Sequence, residues 1–135
     1  MPYQKLIETA ITAMKNSYSP YSNFKVGAAL LCKNGNIYSG CNVENASFSA
    51  TVCAERTAIF NAVSKGEKSF EAIAIVGGKD GEITSFCSPC GICRQTLEEF
   101  CNNDFKIILF DGQTSKTYTL GELLPLSFGS NDLCK

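Results

Sequence analysis

Apolar residues along the chain recur first at a helical period and then at a strand period. Tyr3, Leu6, Ile7, Ala10, Ile11 and Met14 fall at i, i+3, i+4, i+7, i+8 and i+11, which predicts an amphipathic helix over 3–14. The Ser-, Asn- and Pro-bearing stretch NSYSPYSN (16–23) reads as a loop. KVGAALLCKNGNIYSGCNV then places two apolar runs on either side of Asn34-Gly35, a β-hairpin signal. From Cys53 to about Val63 the spacing is helical again, with Ala54, Ala58, Ile59 and Ala62 apolar and Gly66 as the stop. EAIAIVGG (71–78) predicts a short buried strand ended by glycines, and KDGEITSFCSPC a loop. GICRQTLEEFC predicts a helix with Ile92, Thr96, Leu97 and Phe100 on one face. KIILF (106–110) predicts a strand, KTYTL a weak strand and LGELLP a short terminal helix. The order α-β-β-α-β-α-β-β-α places the chain in the α/β class, as a three-layer α/β/α sandwich around a sheet of mixed direction.

Composition narrows the setting of this fold. A chain of 135 residues with 44% apolar content is enough for a core, and residues 1–135 are expected to form a single domain. Twelve basic residues stand against 13 acidic ones, a net charge of −1, and no block of like charge occurs. That pattern lacks the electrostatic footprint of a nucleic-acid binder and favours a small, nearly neutral partner. No stretch approaches the roughly 18–20 consecutive apolar residues of a membrane span. The first residues, MPYQKLIETA, are too polar and mixed for a signal peptide, so a cytoplasmic location is expected.

Eight cysteines and no histidine change the picture again. A secreted disulfide scaffold fits poorly, because the helix and strand patterns need no staples. Thiols that bind metal, with the remainder serving as small buried apolar residues, fit better. Cys90 and Cys93 open a helix three residues apart, which puts both sulfurs on one face of its first turn. The free N–H groups and helix dipole there favour thiolate. On its own this C-x-x-C admits half a zinc site, a redox pair or neither. Cys53 opens the other helix. If the two helices lie side by side, three thiolates converge and leave zinc an open position. Glu55, two residues on, is placed to reach water at that position and to move its proton. Singly, Glu55 reads as a first-turn carboxylate favoured by the dipole, and Cys53 as core. Together, CxE followed about 35 residues later by PCxxC matches the zinc deaminase pattern, with cysteine where histidine stands in its commoner form.

Four stretches carry a wider resemblance: YSPYSNFKVGAAL (18–30), GCNVENASFSATVCAERTA (40–58), SPCGICRQ (88–95) and ELLPLSF (122–128). Through them the chain resembles, over nearly its whole length, the small cytidine deaminases that act on free nucleosides. The resemblance implies a mixed five-stranded α/β/α sandwich assembled as a homotetramer with shared active sites. It also implies hydrolysis of cytidine and 2′-deoxycytidine to uridine and 2′-deoxyuridine plus ammonia, as in pyrimidine salvage. The chemistry would be attack at C4 by zinc-activated hydroxide, with Glu55 as proton shuttle. By the same resemblance Cys53, Cys90 and Cys93 are the Zn²⁺ ligands, and Asn42 and Glu44 hold the ribose hydroxyls. Phe24 is the aromatic wall beside the pyrimidine, and Ala54 is a further substrate contact. Phe128 is a second aromatic, reaching a neighbouring subunit's site. Arg56 has a physical argument of its own. Three thiolates on Zn²⁺ leave a surplus negative charge, and an adjacent guanidinium offsets it. Arg94 is a second candidate for that task. The chain departs from the family at Phe48, where tyrosine is common, so the family's hydroxyl contact across the subunit interface is not expected here.

The same residues admit other functions. A deaminase of another base or of an aminonucleoside antibiotic would share CAE and PCGxC, but NVEN and the late phenylalanine favour the ordinary nucleoside. A redox protein built on Cys90-Gly-Ile-Cys93 leaves Cys53 and Glu55 unexplained. An iron–sulfur site at Cys87, Cys90 and Cys93 lacks a fourth ligand at the expected spacing. A structural zinc module would take Cys87 as its fourth sulfur.

Overall fold

The structure, a computed structural model, describes residues 3–134. The hairpin forms at Asn34-Gly35. Strands β1 (Phe24–Cys32) and β2 (Ile37–Cys41) pair antiparallel, from Gly27 opposite Cys41 to Leu31 opposite Ile37. Gly35 supplies the turn with a φ of 93°, which a residue with a Cβ rarely adopts. Strand β3 (Phe70–Lys79) lies antiparallel to β1 on its other side. Strand β4 (Lys106–Phe110) runs parallel to β3, and β5 (Ser115–Thr119) antiparallel to β4. The resulting sheet is mixed and five-stranded, in the order β2-β1-β3-β4-β5. Residues 72–78 of the central strand are buried without interruption, as a strand covered on both faces requires.

Helix α1 (Gln4–Met14) covers one face. Helices α2 (Ala54–Ser64), α3 (Gly91–Phe100) and α4 (Leu120–Leu123) cover the other. The strand period of two sorts side chains between these layers. Leu30, Ile73, Ile75, Ile107 and Leu109 pack toward α2 and α3, with Ile59 and Leu97. Ala29, Ala72, Ala74, Val76 and Ile108 pack toward α1, with Ile7, Ala10 and Met14. Truncating the fully buried Ile59 to alanine would cost about 2–5 kcal/mol. Helix α2 also comes unusually close to the sheet. A Cβ on Gly40 of β2 would stand 2.6 Å from the Ala58 amide nitrogen and 2.9 Å from the Ala54 carbonyl oxygen.

Three details differ from the sequence expectation. The first helix begins at Gln4, with Tyr3 left-handed at φ 63° before it. Helix α3 buries Cys93 and Leu97, whereas Ile92 is 64% exposed. Its inward face is set by the sulfur in its first turn, and Ile92 lies one residue round from it. A single 3₁₀ turn (Phe48–Ala50) and a terminal helix α5 (Ser130–Leu133) had no periodicity to announce them. Among the described residues no helix is long and apolar enough to cross a membrane.

Candidate metal centre and active site

Helices α2 and α3 both begin on a cysteine. Cys53 and Cys90 occupy the N-cap positions in extended conformation, and neither side chain caps its helix. Ser, Thr, Asp or Asn at such a position stabilises a helix by about 0.5–2 kcal/mol, and both helices forgo that. The sulfurs face one another instead. Cys53 Sγ lies 3.7 Å from Cys90 Sγ, across 37 positions of sequence. Cys90 Sγ lies 3.5 Å from Cys93 Sγ, and the three sulfurs fall within 4.8 Å of each other. Sulfurs bound to one zinc at about 2.3 Å in tetrahedral geometry stand roughly 3.8 Å apart, so the donor set fits that ion. The hydrogen bond from Cys93, joined by Arg56, pulls the Cys53 thiol down to about 5. The same bond and burial drive the Cys93 thiol up.

Cys87 does not join the three sulfurs. Burial, reinforced by the charges of Glu55 and Cys53, pushes its thiol up to about 12. The four-sulfur structural module and the Cys87-Cys90-Cys93 cluster therefore both fail on geometry. Three sulfurs with a fourth position open are the arrangement of a reactive zinc site. All eight cysteines are free thiols, which disposes of a disulfide scaffold.

Glu55 is 4% exposed at the second residue of α2, next to the fully buried Ala54. Burial is the main reason its carboxyl is pushed up to about 7. Arg56 follows, with Nη2 3.6 Å from Cys53 Sγ and its Nε buried without a partner. The two arginine candidates separate here. Arg94 donates Nε to the Pro89 carbonyl at 2.8 Å and Nη1 to the Leu123 carbonyl at 2.7 Å. It ties α3 to the end of α4, and the guanidinium that meets a thiolate is that of Arg56.

Asn42 is 8% exposed and tied to the start of β1. Its Oδ1 accepts from the Val26 amide at 2.9 Å and from Ser17 Oγ, and its Nδ2 donates to the Phe24 carbonyl at 2.8 Å. Glu44 Oε1 accepts from the Tyr21 and Ser22 amides at 2.9 and 3.2 Å, and Oε2 accepts from Ser22 Oγ. The Ser22 hydroxyl foremost, then the two amides, holds the Glu44 carboxyl below the usual carboxylate range. The Phe24 ring and Cys87 Sγ share the space over Gly77. A Cβ there would stand 3.2 Å from Phe24 Cε1 and 2.9 Å from Cys87 Sγ. A cavity of about 360 Å³ opens beside Glu44, lined by Tyr21, Ser22, Asn45, Phe48 and Thr51. Phe48 itself is 79% exposed and stands edge-on to Tyr21, ring centres 6.4 Å apart. A larger cavity of about 640 Å³ lies at the far end of α3 and touches none of these site residues.

Residues 1–109 match the family model described as the cytidine and deoxycytidylate deaminase zinc-binding region. The chain belongs to this family. It is 47% identical to a cytidine deaminase of Sporosarcina psychrophila, covering 98% of this chain and 96% of the relative. It is 45% identical to one from Halalkalibacterium halodurans, covering 98% of each. The crystal structure of cytidine deaminase from Burkholderia pseudomallei is similar at a TM-score of 0.87 and 44% identity, over 95% of this chain and 100% of that one.

Phe128 has its carbonyl tied to Gln95 Nε2 at 2.8 Å and its side chain largely exposed. Within the NSYSPYSN loop, Ser17 and Ser22 donate to Asn42 and Glu44. Serine hydroxyls commonly bond nearby backbone, as that of Ser22 does with the Phe24 amide at 3.0 Å.

Proposed function

We propose that this chain is a zinc-dependent hydrolase that converts cytidine and 2′-deoxycytidine to uridine and 2′-deoxyuridine, releasing ammonia. The observation that carries the reading is three sulfurs at the start of two helices beside a buried carboxyl, in a chain of the cytidine deaminase family. Cys53, Cys90 and Cys93 would hold the metal. Zinc bound there acidifies water toward a pKa of about 7 and supplies the nucleophile.

Glu55 takes the proton of the attacking water and delivers it to N3 of the base, which makes C4 electrophilic. As the water oxygen bonds to C4, Glu55 takes the remaining proton of that oxygen and gives it to the amino nitrogen, and the C4–N bond breaks to release ammonia. One carboxyl serves as base and acid in turn, so a chain without histidine completes the reaction. Burial of Glu55 suits both protonation states to neutral pH and keeps bulk water from competing. Arg56 offsets the surplus charge of three thiolates. Phe24 walls the flat base, Ala54 contacts it, and Asn42 and Glu44 take the ribose hydroxyls.

The chain is further read as a cytoplasmic homotetramer, in which Phe128 completes a neighbouring subunit's site. Exposure of Phe128, Ile92 and Leu126 supports a covered surface there. The test is to mix the zinc-loaded protein with cytidine and follow uridine and ammonia. Absence of both overturns the activity, and a fully active monomer in sedimentation overturns the shared site.

A further inference from the structure

We propose that Ser22 is a positioning residue that aims the Glu44 carboxylate at the ribose hydroxyls. The inference rests on the reading of Glu44 as the carboxylate that takes those hydroxyls. Ser22 Oγ donates its one proton to Glu44 Oε2 and accepts from the Phe24 amide at 3.0 Å. A hydroxyl has a single proton and two lone pairs, so these two bonds fix its rotor and reinforce each other. The backbone delivers it there by a local contortion. Asn23 is left-handed at φ 58°, which turns the Phe24 amide back onto Ser22. Two bonds clamp that turn: the Asn23 amide to the Ser19 carbonyl at 2.9 Å, and the Asp80 amide to the Asn23 carbonyl at 2.7 Å.

Glu44 thus meets donors on both oxygens before any ligand arrives. Oε1 is taken by the Tyr21 and Ser22 amides, whereas Oε2 depends on the Ser22 hydroxyl. Without the hydroxyl, the carboxylate keeps a hinge on Oε1 and loses the bond that stops it rotating. Its remaining lone pairs then no longer point one way. On the base side the loss removes only the bond from the Phe24 amide, and Asn42 Nδ2 still holds the Phe24 carbonyl. Ser22 therefore governs how the sugar is gripped and leaves the chemistry at the base alone.

The experiment compares the zinc-loaded wild type with Ser22→Ala, Ser22→Thr, Glu44→Gln and the Ser22→Ala/Glu44→Gln double variant. Each is assayed on cytidine and on 2′,3′-dideoxycytidine, which lacks the 2′- and 3′-hydroxyls. Losing a hydrogen bond to a charged group predicts that Ser22→Ala raises KM for cytidine roughly tenfold with kcat nearly unchanged. Ser22→Thr restores it, KM for the dideoxy substrate does not move, and the double variant matches Glu44→Gln alone. A Ser22→Ala KM rise that is equal on both substrates, or additive with Glu44→Gln, overturns the proposal. If Glu44→Gln affects only cytidine while Ser22→Ala keeps wild-type KM, the role of Ser22 falls and the ribose reading stands. If Glu44→Gln affects both substrates alike, the ribose reading falls and takes the proposal with it.

Discussion

Replacing Gly40 with alanine asks whether the sheet sets the position of the helix that carries Cys53 and Glu55. The new Cβ would lie 2.6 Å from the Ala58 amide nitrogen, 2.8 Å from Thr57 Cβ and 2.9 Å from the Ala54 carbonyl oxygen. Ordinary contact begins at 3.4 Å, so α2 must withdraw by about 0.8 Å. Two of the three atoms are helix backbone, and no rotamer change relieves them. Overpacking of this kind costs about 1–3 kcal/mol. A gap of about 0.5–1 Å also forfeits a quarter to a half of the dispersion energy along the helix, so the upper end of that range is expected. Gly91→Ala is the control. Nothing lies within 4 Å of its Cβ position, and the change is expected to be neutral or stabilising by up to about 1 kcal/mol. Urea unfolding with linear extrapolation reads both variants, with and without chelator. The second readout is zinc affinity. Site residues tolerate displacements of only about 0.5 Å, and Cys53 sits at the start of the displaced helix. A Gly40→Ala protein within about 0.5 kcal/mol of wild type, with unchanged zinc affinity, would refute the reasoning.

Other outcomes follow from the same geometry. Glu55→Gln keeps size and fold, so it is expected to retain zinc while turnover drops roughly 10²–10⁴-fold; near wild-type turnover in a stopped assay rules the shuttle out. Cys53→Ala removes one of three sulfurs, and metal analysis should show most of the zinc lost; full retention excludes Cys53 from the site. Arg56→Gln is expected to slow turnover while circular dichroism stays the same, and unchanged turnover with unchanged zinc content would deny it the charge-balancing role. Glu67 accepts hydrogen bonds from Asn36, Tyr38 and Asn34, and these hold its carboxyl below its ordinary value of 4.5. Its contribution is therefore complete above that value and lost as pH falls through the lower, folded one. The melting-temperature gap between wild type and Glu67→Gln should shrink from about pH 7 to about pH 3, and a constant gap would contradict this.

Much of the molecule was decided locally. The helical spacing of Leu6, Ile7, Ala10 and Met14 reports a face that must be covered, and it is covered. Asn34-Gly35 determines the hairpin because glycine accepts the positive φ that the turn needs. Cys90 and Cys93 share a face through helix geometry alone, and Glu55 follows Cys53 into the same first turn. What sequence spacing does not contain is which element each face meets. Cys53 joins Cys90 only because α2 and α3 cover the same side of the sheet with their starts together, an outcome of strand order and a parallel β3–β4 pair. Arg56 and Arg94 are indistinguishable as letters, and packing sends one to a thiolate and the other to two carbonyls. Ile92 reads as core by period, yet the buried line of α3 runs through Cys93 and Leu97, because the sulfur cluster orients the helix. Ser22 shows the same division. A loop serine carries one proton and two lone pairs anywhere, and only the left-handed turn at Asn23 places them between Glu44 and Phe24.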